Sequence, residues 1–149
     1  MLLDLIALHQ SSRVWIYQAN RELSYDELDD ARELLFPFLE QWTSHNNELY
    51  TYGNIFHRRF LAIFVDSHMA SAASGCSIDA SVRFVTELGA KLKIDFFDRL
   101  NFCYLDKDEE VVSASKIELK NLYSQEVITD KTIFFDNLVE NKKDFLERW

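Results

Sequence analysis

The stretch Met69-Ala-Ser-Ala-Ala-Ser-Gly-Cys-Ser77 sets a thiol among small residues, just ahead of a periodic apolar segment. Free amides and the dipole at a helix start favour an anion, so Ser74, Gly75, Ser77 and Asp79 are candidate ligand-binding residues. Cys76 lies beside that start, where a thiolate gains from the same field, and is a candidate nucleophile. His68, two residues after Asp66 at the end of an apolar run, is the candidate base for it. In the competing reading Gly75 makes a turn, Ser77 caps a helix and Cys76 packs as a small apolar residue. That reading is the simpler one, because a loop of small residues is a weak phosphate signature. Asp79, an acid in the first helical turn, argues further against an anion.

Other spacings exclude more than they suggest. A phosphate-binding loop needs Gly-x-x-x-x-Gly-Lys-Ser/Thr, so that backbone amides wrap the phosphates unobstructed. The three glycines here, Gly53, Gly75 and Gly89, have no such spacing, which excludes a P-loop ATPase. The four histidines, His9, His45, His57 and His68, include no pair three or four residues apart, so no helical metal pair exists. No metal and no cofactor is expected. Asp106-x-Asp108-x-Glu110 opens like a calcium loop, but Val111 stands where that loop needs glycine. It reads as a solvated acidic turn, and the acids from Asp26 to Glu33 read as the wet face of a helix.

Charge narrows the partners. With 16 basic and 25 acidic residues the net charge is -9. Such a field repels nucleic acid and anionic membrane surfaces, and Arg58-Arg59 beside His57 is the sole basic patch. Cys76 and Cys103, the only cysteines, make no disulfide framework and no zinc spacing, which fits a cytoplasmic location. The apolar start, Met1 to Leu8, lacks a basic flank and a cleavage site and contains Asp4; it is expected to be a short docking helix. No run approaches the ~20 apolar residues of a membrane span.

The elements that must position these residues follow from periodicity. Ser12–Gln18 is a strand. Ser24-Tyr-Asp-Glu27 is a capping box opening a helix with Leu28, Ala31, Leu35, Leu39 and Trp42 on its buried stripe, and Pro37 predicts a kink or a break at Phe36. Asn46-Asn47 stops that helix. Glu48–Tyr52 is a second strand, Gly53-Asn54 a hairpin turn, and Phe60–Val65 a strand buried on both faces. A second helix carries Ile78, Val82, Val85, Leu88 and Leu92, and Arg99–Leu105 is a fourth strand with Leu100, Phe102 and Tyr104 on one face. The order is that of a ferredoxin-like βαββαβ core, an α+β fold with helices on one face of an antiparallel sheet. A single domain is expected, with residues 1–106 as core and 107–149 as a C-terminal α/β extension packed on it. In that extension Ser115 caps a helix to about Ser124, Ile133-Phe-Phe135 forms a short strand, and Asn137 caps a last helix docked by Leu138, Phe145 and Trp149. Trp15 and Tyr17 lie on the face opposite Val14 and Ile16, and Tyr50, Tyr52 and Tyr104 add to the aromatic strand positions. One of the two sheet faces needs cover from the tail, a partner subunit or a ligand.

Together the segments Ser12–Asn20, Gln41-Trp-Thr43, Ser74-Gly-Cys-Ser-Ile-Asp79, Asp95-Phe-Phe-Asp98 and Asp130–Val139 resemble a known group. These are small bacterial proteins of unknown activity that often carry the label "ABC transporter ATPase". The resemblance implies no activity, and the missing phosphate loop contradicts the label. Members of that group are expected to continue past the position of Trp149. The expected function is a non-enzymatic accessory or interaction role, with a sheet face meeting a protein partner or a second copy of the chain. The alternative is a small-molecule or anion-binding enzyme using the 74–79 loop, with Cys76 as nucleophile.

Overall fold

The computed structural model describes residues 1–68 and 71–149, so Met69 and Ala70 of the small-residue stretch lie outside the described residues. The fold is mixed α+β with antiparallel sheets and four α-helices among the described residues. β1 (Arg13–Gln18), β4 (Tyr50–Phe56) and β5 (Phe60–Asp66) form a sheet in the order β1-β5-β4, with Trp15 and Gly53 both opposite Ile63. Every residue of β5 is buried, which is why its sequence is apolar without alternation.

α1 (Tyr25–Gln41) and α2 (Gly75–Leu92) cover one face of this sheet. The predicted stripe of α1 is the buried one, and the Ser24–Glu27 capping box forms as read. Pro37 does not break the helix. It and Glu33 both face solvent, so water can satisfy the carbonyl that the proline leaves without a donor. Gly53 sits inside β4 rather than at a turn: a Cβ there would lie 2.7 Å from Leu39 Cδ1, so the glycine lets α1 lie close on the strand. The β4–β5 turn falls instead at His57 and Arg58, both left-handed. Residues 45 and 46 do not merely stop α1; they turn a small ribbon of β2 (Thr43–Ser44) and β3 (Asn47–Glu48).

The four-stranded sheet of a ferredoxin-like order does not form. β6 (Asn101–Leu105) pairs with β7 (Val111–Ser115) in a separate two-stranded sheet, joined by the acidic turn 106–110. The outer edge of β1 is taken by other segments: Val14 N donates to Glu140 O, and Asp98 N to Gln18 O. A local hairpin costs less loop entropy than a remote pairing, and β6 adopts it. A cut at 106 would therefore divide a hairpin. Ile133–Phe135 adds a single bridge to the other edge of β6, through Tyr104 and Phe134. α3 (Lys116–Ser124), capped by Ser115, packs with Tyr104, Ala114 and Ile128 in a satellite cluster. Tyr104 is buried there, whereas Leu100 and Phe102 are exposed.

Nor are the helices confined to one face. Val14, Ala62 and Phe64 of the second face lie under Leu8, Val139, Phe145 and Trp149. α4 (Lys142–Arg148) supplies this cover, with its Phe145 ring stacked on Trp149 at 4.5 Å. Asn141, not Asn137, caps α4; Asn137 instead holds the Gln18 amide and the Trp149 indole. Leu138 does not dock, being 86% exposed. The N-terminal segment contributes a 3₁₀ turn, Leu5–Ala7, and a bridge from Leu2 to Thr51. No helix among the described residues is long and apolar enough to cross a membrane.

Two glycines of α2 are expected to behave oppositely. A Cβ at Gly89 would sit 2.5 Å from the Ile94 carbonyl, where the chain doubles back through left-handed Lys93, whereas at Gly75 it would meet nothing within 4 Å. Urea unfolding should show Gly89→Ala losing about 1–3 kcal/mol to overpacking. Gly75→Ala should gain up to about 1 kcal/mol from helix propensity. Equal effects would contradict the packing described.

The α1 cap has a pH signature. Hydrogen bonds from Arg21, then the Ser24 amide, hold the Glu27 carboxyl down from 4.5 to about 2. A depressed acid stabilises the fold fully above its unfolded value and loses that contribution as pH falls through the folded one. The stability difference between wild type and Glu27→Gln should thus shrink between pH 4.5 and 2, and stay small because the pair is exposed. A difference that grows on acidification would refute this.

Candidate functional site

The small-residue loop leads into α2 three residues earlier than expected. Ser74, not Ser77, is the cap, and the two serines close a reciprocal box: Ser77 N donates to Ser74 Oγ, and Ser74 N to Ser77 Oγ at 2.7 Å. Ser77 is buried, and its carbonyl accepts from the Trp42 indole at 3.0 Å. Its hydroxyl also donates to Ser74 O, so internal bonds already engage it. Gly75 has no positive φ and needs no glycine freedom, while Cys76 and Asp79 are exposed, Asp79 now beyond the first turn. The apolar stripe is rotated accordingly: Ser77, Ser81, Val85 and Leu88 face inward, and Val82 outward.

His68 is engaged elsewhere. Its ring stacks on His9 at 3.9 Å, and Ser11 Oγ lies within hydrogen-bond reach of Nδ1 on both rings. Asp66, fully buried, accepts from the amides of His9 and His68 at 2.7 and 2.8 Å. Burial alone would make such a carboxylate costly; two amide donors at the strand end offset that, and they tie the N-terminal segment to β5. The bonds make Asp66 a structural clamp. Among the described residues no group of three or more His, Cys, Asp or Glu could hold a metal ion.

The second cysteine is the packed one. Cys103 is buried, and desolvation pushes its thiol up to about 11 despite the opposing field of Arg59. The aromatic strand residues are likewise occupied. Trp15 meets Trp42 edge-on at 6.3 Å, Tyr17 meets Phe97 at 5.5 Å, and burial raises the Tyr17 phenol. Tyr50 and Tyr52 join the cluster under α4.

Two clefts lie away from these residues, on either side of the β6–β7 turn, and neither is lined by residues 66–79. The larger, of about 840 Å³, opens between the β6–β7 hairpin and the segment 126–133. Tyr104, Val112, Val127, Ile128 and Ile133 supply its apolar surface, with Asp106, Glu109, Glu126, Lys107 and Lys131 among its polar lining. Val127 and Ile133, both on its lining, are 61% and 62% exposed. The smaller, of about 350 Å³, lies where the start of α1 meets the His57–Arg58 tip and Glu109–Val111. His57, Arg58 and Glu109, all at its border, have φ of 52, 53 and 60°. Left-handed backbone costs a non-glycine residue roughly 1–2 kcal/mol, and at His57-Arg58 it is the geometry that a tight hairpin turn between β4 and β5 requires. The ring of His57 lies against Phe135 and Trp149, and partial desolvation lowers its basicity.

The sequence pattern did not single out Arg32, Val127 and Ile133, and it put Glu110 in a solvated acidic turn; all four line the clefts. Arg32 interrupts the apolar pattern of α1 at a half-buried position, and Val127-Ile128 follows a helix end, but neither signal says what faces it across a cleft. No protein-family model, no curated protein and no solved structure matches this chain.

The thiols give a direct check on this geometry. An alkylating reagent should modify Cys76 in the native protein and leave Cys103 protected until denaturant is added, as read by mass spectrometry. Labelling of Cys103 at the same rate as Cys76 would contradict its burial.

Proposed function

We propose that the protein is a non-enzymatic interaction module whose 840 Å³ cleft takes an apolar side chain from a basic segment of a protein partner. The observation that carries this reading is the exposed Val127–Ile133 surface at the mouth of an apolar cleft. Apolar centre and polar rim are the usual anatomy of a protein-binding site. Acids outnumber lysines on the rim, and the whole chain carries a net charge of -9, so a basic partner segment is steered toward it. The sheet face first expected to meet a partner packs against Phe145 and Trp149, and the exposed aliphatic residues on the β6–β7 side support a contact there instead. A cytoplasmic setting belongs to the same reading and accords with two free thiols.

The enzyme alternative draws on exposed Cys76 at the start of α2, but His68 makes its contacts with His9 and Ser11 instead. The interaction reading is the better supported.

The test compares wild type with Ile133→Glu and Val127→Glu, both at exposed positions, as baits in a lysate at low and high salt. Any captured protein is then mapped on the bait by hydrogen exchange. The expected result is capture that salt weakens and both substitutions abolish, with protection at 104–112 and 126–133. Capture indifferent to both substitutions, or protection confined to other surfaces, overturns the proposal.

A further inference from the structure

Besides the Glu22–Arg58 pair, the smaller cleft is bordered by charges of opposite sign, Arg32 on one hand and Glu109 and Glu110 on the other, that form no ion pair among the described residues. Tyr25, Leu28 and Arg32 follow one another at helical spacing and line it from α1. Arg32 donates from Nε to Asn54 Oδ1 at 2.9 Å, which fixes the plane of its guanidinium. Among the described residues no carboxylate forms an ion pair with it, so its two terminal nitrogens remain as a fork of donors. Glu109 and Glu110 line the same cleft from the β6–β7 turn, exposed and likewise in no ion pair among the described residues. Arg58 is not a second free cation. It bonds the Leu23 carbonyl, pairs with Glu22 and lies 4.3 Å over the Tyr25 ring, so it holds the wall in place.

We propose that this cleft binds a small zwitterion of the amino-acid class, its carboxylate on the Arg32 fork and its cationic nitrogen against Glu109 and Glu110. A simple anion would meet the two carboxylates outside any ion pair, and a simple cation or a metal ion would meet Arg32. A molecule carrying both charges satisfies both walls, and half-buried Val111 is the apolar lining residue left accessible to the carbon chain, Leu28 and Ile55 being core residues. A volume of about 350 Å³ suits a metabolite of that size. The site is separate from the proposed protein-binding cleft, with which it shares only Glu109.

Nitrogen-15 chemical-shift titration of the whole chain tests the proposal, using L-lysine, 6-aminohexanoate, hexanoate, hexylamine and pools of the standard amino acids at millimolar concentration. The expected result is saturable shifts from zwitterions at residues 25–32 and 109–111, with binding about tenfold weaker for the singly charged analogues. Arg32→Gln and Glu110→Gln should each weaken binding by about fivefold or more. Glu110 is exposed, so its substitution leaves the fold intact even if that of Arg32 does not. Absence of saturable shifts with every zwitterion, equal affinity for hexanoate or hexylamine, or indifference to Glu110→Gln overturns the assignment.

Discussion

The structure depends on the burial of β5 on both faces. A strand with Phe60, Leu61, Ile63 and Phe64 fully buried needs a layer of cover on each side, and each such side chain contributes about 1.5–3 kcal/mol only if that cover exists. α1 and α2 provide one layer; the N-terminal segment and α4 provide the other. The chain termini are therefore part of the core rather than appendages to it. Asp66 at the end of β5 and Lys142 at the start of α4 reinforce this arrangement, Lys142 Nζ reaching the Leu8 carbonyl at 2.7 Å.

With both faces of the sheet occupied, the two clefts described lie beside the β6–β7 hairpin. The β6–β7 turn lies between the two clefts and contributes Glu109 to both, so a change in its conformation would be felt on either side. Its left-handed Glu109 and the Asp106 carboxylate, which accepts from the amides of Asp108 and Glu110, define the turn. The acidic run that resembles a calcium loop in sequence is thus a backbone-organising device.

Local chemistry carried through wherever a residue acts on its near neighbours. The Ser24 and Ser115 caps, the stripe of α1 and the two-sided burial of β5 all follow from rules that span a few residues. Reading failed where two locally acceptable choices competed. Ser74 and Ser77 are both good caps, and the burial of Ser77, whose carbonyl accepts from the Trp42 indole, leaves Ser74 as the one at the helix start. Gly53-Asn54 is a good turn pair, yet burial of Gly53 against Leu39 keeps it within a strand and puts the turn at His57-Arg58.

Sequence by itself determined the α+β class, the acidic surface and the lack of a phosphate-binding loop, because composition and spacing do not depend on distant contacts. Tertiary structure alone decided that β6 turns back on β7, that the tail seals the second sheet face, and that His68 stacks on His9. It also set Arg32 across a cleft from Glu110, residues whose separation along the chain hides any relation. The physical reason is the same in each case: pairings between remote segments are chosen by competition for edges and faces, and no single segment encodes the outcome.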